Sequence, residues 1–173
     1  MRTFALTITL LATTAHAQAD DASQSILAGW EPDLAQLELI PGEDIAAAYA
    51  EKTVKAIYAL EWHNAGRRFV ETHTEDGRVD YTEGDFASLG RWYVREDLMC
   101  FEYDEEPGRE HCFTKFRYGN CLVTYPSGVP IVRGKPLVPA AWGSVQQYVD
   151  ADFSWPDRPL SEEDVFVCRM LMS

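Results

Sequence analysis

A chain of 173 residues with 46% hydrophobic and 25% charged residues suits one folded domain with a modest core, which excludes global disorder. Its formal net charge of −13 excludes nucleic acid and anionic membrane surfaces as expected partners, because both would be repelled. No stretch reaches the roughly 18–20 uninterrupted apolar residues that a transmembrane helix needs.

Residues 1–17 read as a signal peptide. Arg2 supplies the positive region, Phe4 to Leu11 the apolar run, and Ala15-His16-Ala17 an A-x-A cleavage site. Cleavage near Ala17 would leave a periplasmic or secreted chain with 14 basic and 28 acidic residues, net −14. Such a surface serves solubility and would also suit a cationic protein partner. Four cysteines in an exported chain predict two disulfides, with three possible connectivities.

Residues 18–42 form a lead-in arm with a short helical turn around Leu34 to Leu37. Residues 43–173 are expected to make a single disulfide-stapled β domain. Gly42-Glu43-Asp44 opens a short helix with acids near its positive end. Ile45, Ala48 and Tyr49 share one of its faces, and β-branched residues should end it by about Lys52.

Thr53 to Trp62 alternates as a half-buried strand, and His63-Asn64-Ala65-Gly66 is a hairpin turn. Arg68 to Thr74 and Arg78 to Thr82 follow as strands around the turn Glu75-Asp76-Gly77, and Glu83-Gly84-Asp85 ends the second. Trp92-Tyr93-Val94, Leu98 to Tyr103, Glu110 to Arg117 and Cys121 to Tyr125 continue the series. One turn every 8–12 residues is an all-β cadence. The fold class is therefore mainly β: an antiparallel meander forming a small barrel or strongly curved sheet, with a short N-terminal helix and an irregular C-terminal excursion.

A five-residue loop from Asp104 to Gly108 sets Cys100 opposite Cys112, where a cross-strand disulfide fits. The same register sets Glu102 against Glu110, which is unfavourable. Pro126 to Pro159 holds six of the nine prolines and reads as an excursion that packs on the sheet or covers something, with a short helix from Ala140 to Tyr148. Ser161 to Asp164 caps a helical turn. Val165 to Met170 is the last strand, from which Cys168 ties back to Cys121.

No catalytic, metal or cofactor set assembles from these residues. His111-Cys112 suggests a nucleophile, but an even cysteine count favours disulfides. His63, His73 and His111 lack metal-binding spacing. Asp76, Gly77 and Glu83 match part of a calcium loop, yet Thr72 and Thr74 stand where carboxylates are needed. The common hydrolase and nucleotide-binding motifs are absent. Trp62, Trp92, Tyr103 and Phe113 are the candidate ligand-binding residues, within an aromatic set that also includes Tyr93, Phe101, Phe116 and Tyr118. More often such aromatics simply form the core of a sheet.

Ala46 to Cys112 resembles a family of small, uncharacterised, exported bacterial proteins of unknown function. The matching features are Ala50-Glu51-Lys52-Thr53-Val54-Lys55, the turn Glu75-Asp76-Gly77-Arg78, Gly90-x-Trp92, Cys100 and Cys112; Glu51 and Ala56 depart from the pattern where glycines are expected. That resemblance implies an exported antiparallel β domain bridged at Cys100–Cys112 and no catalytic residues. Ser127-Gly128-Val129-Pro130-Ile131 is similar to half of the Ser-Gly-x-x-Tyr loop of periplasmic C-type lysozyme inhibitors and lacks its tyrosine. The expected function is non-enzymatic binding of a small ligand or a protein partner in the cell envelope. The alternatives are a cell-envelope hydrolase using paired carboxylates and a lysozyme-inhibitor-like protein.

Overall fold

A computed structural model describes residues 30–59, 66–158 and 168. The signal segment, Trp62, the turn residues His63 to Ala65, the helical turn at Ser161 to Asp164 and all of the terminal strand but Cys168 lie outside the described residues.

Asp33 caps a 3-10 turn at Leu34–Gln36 by accepting from the Ala35 N–H at 2.9 Å. Glu38–Leu39 (β1) leads into the helix Gly42–Tyr49 (α1), whose apolar face buries Ile45, Ala48 and Tyr49 as the spacing predicts. Glu43 and Asp44 lie in its first turn, where acids meet the positive end of the helix. The Gly42 N–H donates to Asp97 Oδ1 at 2.8 Å, so a turn between two later strands supplies the missing side-chain cap.

The strands are Lys52–Tyr58 (β2), Arg68–His73 (β3), Arg78–Glu83 (β4), Phe86–Arg95 (β5), Leu98–Tyr103 (β6), Glu110–Tyr118 (β7) and Cys121–Pro126 (β8). A small hairpin, Ile131–Val132 (β9) with Lys135–Pro136 (β10), precedes Ser144–Val149 (β11). β2 to β8 pair in sequence order, and β11 inserts between β8 and β2. The result is a closed, eight-stranded antiparallel barrel, which has no free edge around its ring. β1 pairs with the C-terminal part of β7, beyond the residues of β7 that pair with β6.

Two readings of the sequence are corrected. The helix expected over Ala140 to Tyr148 is instead a 3-10 turn at Pro139–Ala141 followed by β11. Closure explains the outcome: β11 satisfies backbone groups of β2 on one side and β8 on the other, which outweighs any local helical preference. The strand expected over Trp92 to Val94 starts earlier, at Phe86, because β4 pairs along it from Phe86 to Arg91.

Both disulfides are formed, Cys100–Cys112 and Cys121–Cys168, consistent with an oxidising, exported environment. Cys100 and Cys112 face each other directly with Cα atoms 4.0 Å apart, and Glu102 does oppose Glu110. Arg91 at 2.8 Å from Glu102 and Arg95 at 2.7 Å from Glu110 offset that repulsion on the outer face.

Period-two alternation divides every strand into an inner and an outer set. α1 closes one end of the barrel, where Ile45 and Tyr49 pack with Val54, Val79, Met99 and Leu122. A second apolar layer lies outside the wall. Ile57, Phe116, Val123, Tyr125 and Val145 pack there with Leu37 and Trp142, and Trp30 and Cys168 border them. The described part of the excursion, Pro126 to Arg158, contributes to this layer, and Lys135 Nζ donates to the carbonyls of Ala35 (3.2 Å) and Leu37. Among the described residues no helix is long and apolar enough to cross a membrane.

Gly90 faces inward opposite Tyr103, and a Cβ there would meet the Glu102 carbonyl oxygen at 2.4 Å and the Tyr103 Cα at 3.0 Å. Gly90→Ala is therefore expected to destabilise the fold by about 2 kcal/mol, since the obstacle is backbone. Urea unfolding checks this, and wild-type stability in the variant would refute the packing argument.

Candidate functional site

The inner positions of β2 to β8 and β11 enclose a cavity of about 200 Å³ above the level closed by α1. Tyr58, Phe69, Tyr81, Phe101, Tyr103 and Phe113 form most of its wall. The exposed or half-exposed lining residues Phe86, Glu106 and His111 mark its mouth, with Phe86 52% exposed. Glu71, Lys115, Thr124, Ser144 and Gln146 add polar groups, and all five are buried.

These polar groups form two settings. Thr124 and Ser144 satisfy each other at 2.9 Å, and Gln146 Oε1 accepts from the Tyr49 hydroxyl at 3.0 Å. Charged groups occupy the other setting. Glu71 Oε1 accepts from the Tyr103 hydroxyl at 2.9 Å. His73 Nδ1 lies 3.3 Å from the Lys52 carbonyl, which can only accept, so that nitrogen carries a proton, and Nε2 faces Glu71. Glu71 Oε2 and His73 Nε2 are 3.6 Å apart, beyond hydrogen-bond length, and both lack a hydrogen-bond partner.

Lys115 is 1% exposed and lines the cavity. Its ammonium lies 4.8, 5.3 and 5.5 Å from the ring centres of Tyr49, Phe101 and Phe113. Among the described residues no carboxylate comes within 4.0 Å of it. Burial pulls its pKa down to about 8, against the opposing pull of the Glu71 charge. For Glu71, burial pushes upward, but the contact with His73, the Lys115 charge and the Tyr103 hydrogen bond outweigh it and hold the carboxyl below its ordinary value. Burial and the Glu71 charge raise the Tyr103 phenol well above its ordinary value, so it stays a donor.

The four candidate ligand-binding residues divide. Tyr103 and Phe113 line the cavity. Trp92 is buried nearer α1, where its indole N–H donates to the Thr74 carbonyl at 3.1 Å. Trp62 lies outside the described residues. Of the wider aromatic set, Phe116 and Tyr118 belong to the outer layer.

The chemistries set aside in the sequence have plain locations. Cys112 is bonded to Cys100, and among the described residues no cysteine is free. The one group of three possible metal ligands among them is Cys100, Glu110 and Cys112, whose sulfurs are already joined. Asp76 accepts from Thr74 Oγ1 and Arg78 within its own hairpin. His111 pairs with Glu106 at 2.7 Å at the cavity mouth.

No known family model matches this chain. Comparison with curated proteins and with solved structures also finds no match. The site must therefore be read from its own chemistry.

Glu71, Lys115 and Gln146 were missed in the sequence, and His73 was weighed only as a metal ligand. Lys115 is two residues from Phe113, and Glu71 is two from Phe69, so each pair shares a face. Of these two aromatics only Phe113 is a sequence candidate, and alternation carries Lys115 onto its face.

Proposed function

We propose that this protein is an exported binding protein that holds a small, largely apolar molecule inside its barrel. The observation that carries the reading is the aromatic-walled cavity, closed by α1 at one end and open past Phe86 at the other. An apolar cavity of about 150 Å³ accepts benzene. At about 200 Å³ this one suits a molecule with one ring or a short chain. The two disulfides support a periplasmic or secreted location, reached after cleavage near Ala17.

The hydrolase alternative draws less support. The two cavity carboxylates, Glu71 and Glu106, sit at the buried polar group and at the mouth, and each is engaged by its own partners. A cationic protein partner, as in a lysozyme-inhibitor-like role, is supported by the net charge and half a loop motif.

Titration with toluene and indole, followed by amide NMR, tests the proposal. Saturable shifts confined to cavity-lining residues are expected, with Kd values of about 0.01–1 mM. Absence of saturable binding by both compounds would sink the reading.

A further inference from the structure

Among the described residues, Lys115 is a buried cation with no carboxylate within 4.0 Å. Glu71 has Tyr103 and His73 beside it, whereas the Lys115 ammonium has three aromatic rings and the cavity. Aromatic faces lessen the cost of burying a cation, but they do not replace an anion. The groups around it are Glu71 and His73 from β3, Tyr49 from α1, Tyr103 from β6 and Arg117 two residues along β7, with Glu106 and His111 at the mouth. Among the described residues none places a carboxylate within 4.0 Å. The aromatic wall, meanwhile, demands an apolar body.

We propose that the cavity takes a small organic carboxylate, aryl or short-chain, entering acid first so that its carboxylate pairs with Lys115 while its apolar body packs on Phe69, Tyr81, Phe101 and Phe113. This inference rests on the cavity-binding reading and adds the ligand's charge to it. A charge-assisted hydrogen bond in a desolvated site is the strong kind, and a neutral amide of the same shape forfeits the ionic part. Pairing with an anion also favours the protonated lysine. Because burial lowers the pKa of the free side chain to about 8, acid binding above that pH must draw a proton from solution.

The test compares phenylacetate with phenylacetamide on the intact mature protein by calorimetry at about pH 6.5. Phenylacetate is expected to bind at least about tenfold tighter. In Lys115→Met the two should bind alike, with phenylacetamide retained. On the wild type alone, phenylacetate binding at about pH 8.5, in buffers of different ionisation enthalpy, should show uptake of most of one proton. Equal affinities in the wild type, an acid preference that survives in Lys115→Met, or binding without proton uptake would each overturn the ligand assignment while leaving the cavity reading intact. Failure of both compounds, and of toluene, would overturn the cavity reading itself.

Discussion

Replacing Cys121 and Cys168 together with alanine is expected to lower stability by about 4 kcal/mol, from the chain entropy released when a loop of this length opens. The bond spans 47 residues, from the start of β8 to the C-terminal segment, and Cys121 is buried in the outer apolar layer. Few other constraints on the unfolded chain reach that far. The Cys100–Cys112 bond spans 12 residues, and the same relation gives about 3 kcal/mol. Urea unfolding of the two double variants gives the comparison. Wild-type stability without Cys121–Cys168, or a larger loss from Cys100–Cys112, would contradict the argument. Either bond matters on the scale of a small domain's whole stability, about 5–15 kcal/mol.

Lys115→Met should act in the opposite direction, raising stability by about 3 kcal/mol at pH 7. Lys115 binds its proton more weakly in the folded protein, with a pKa near 8, than in the unfolded chain, where it is near the usual lysine value. Below about pH 8 the group is charged in both states, and the full burial cost is present. As pH rises above that value the unfolded chain binds more protons, so the wild type gains stability, by about 2 kcal/mol between about pH 7 and pH 9.5. The window ends there because Tyr49, Tyr81 and Tyr103 have raised folded pKa values, which favour unfolding once free tyrosine ionises. Methionine removes the charge, keeps most of the volume and can still contact the three rings. Its stability should change little across the same window.

The acid side carries a linked expectation. Glu71 has a lowered folded pKa, so its contribution is present above its unfolded value and fades as pH falls through the folded one. Lys115→Met removes one of the cations that lower it, and the acid limb should move upward in pH. Urea unfolding across pH checks both limbs. A wild-type stability that is flat or falling between about pH 8 and pH 9.5 would refute the assignment of a buried, charge-bearing lysine.

The turns and cysteines explain why so much was legible beforehand. A five-residue acidic loop allows one direct opposition of Cys100 and Cys112, so register follows from counting. Ile45, Ala48 and Tyr49 recur at helical spacing, and the turn residues from Glu75 to Asn120 punctuate strands at an even cadence. These are local relations, carried by residues near one another in the chain. The interior was less accessible. Alternation says that Phe113 and Lys115 share a face, but an isolated strand offers no reason to put a lysine on the buried one. Ala140 to Tyr148 likewise reads as a helix by itself, and the strand Ser144–Val149 follows from the two edges that β2 and β8 present to it.

Local spacing thus carried the Cys100–Cys112 opposition, the antiparallel wall and the helix face of this protein. Closure by β11 decided which face became the inside, and with it that Lys115 and Glu71 would line one buried cavity. The physical reason is solvation: the cost of burying a charge depends on the far wall of the barrel, and the residues of that wall are distant in sequence.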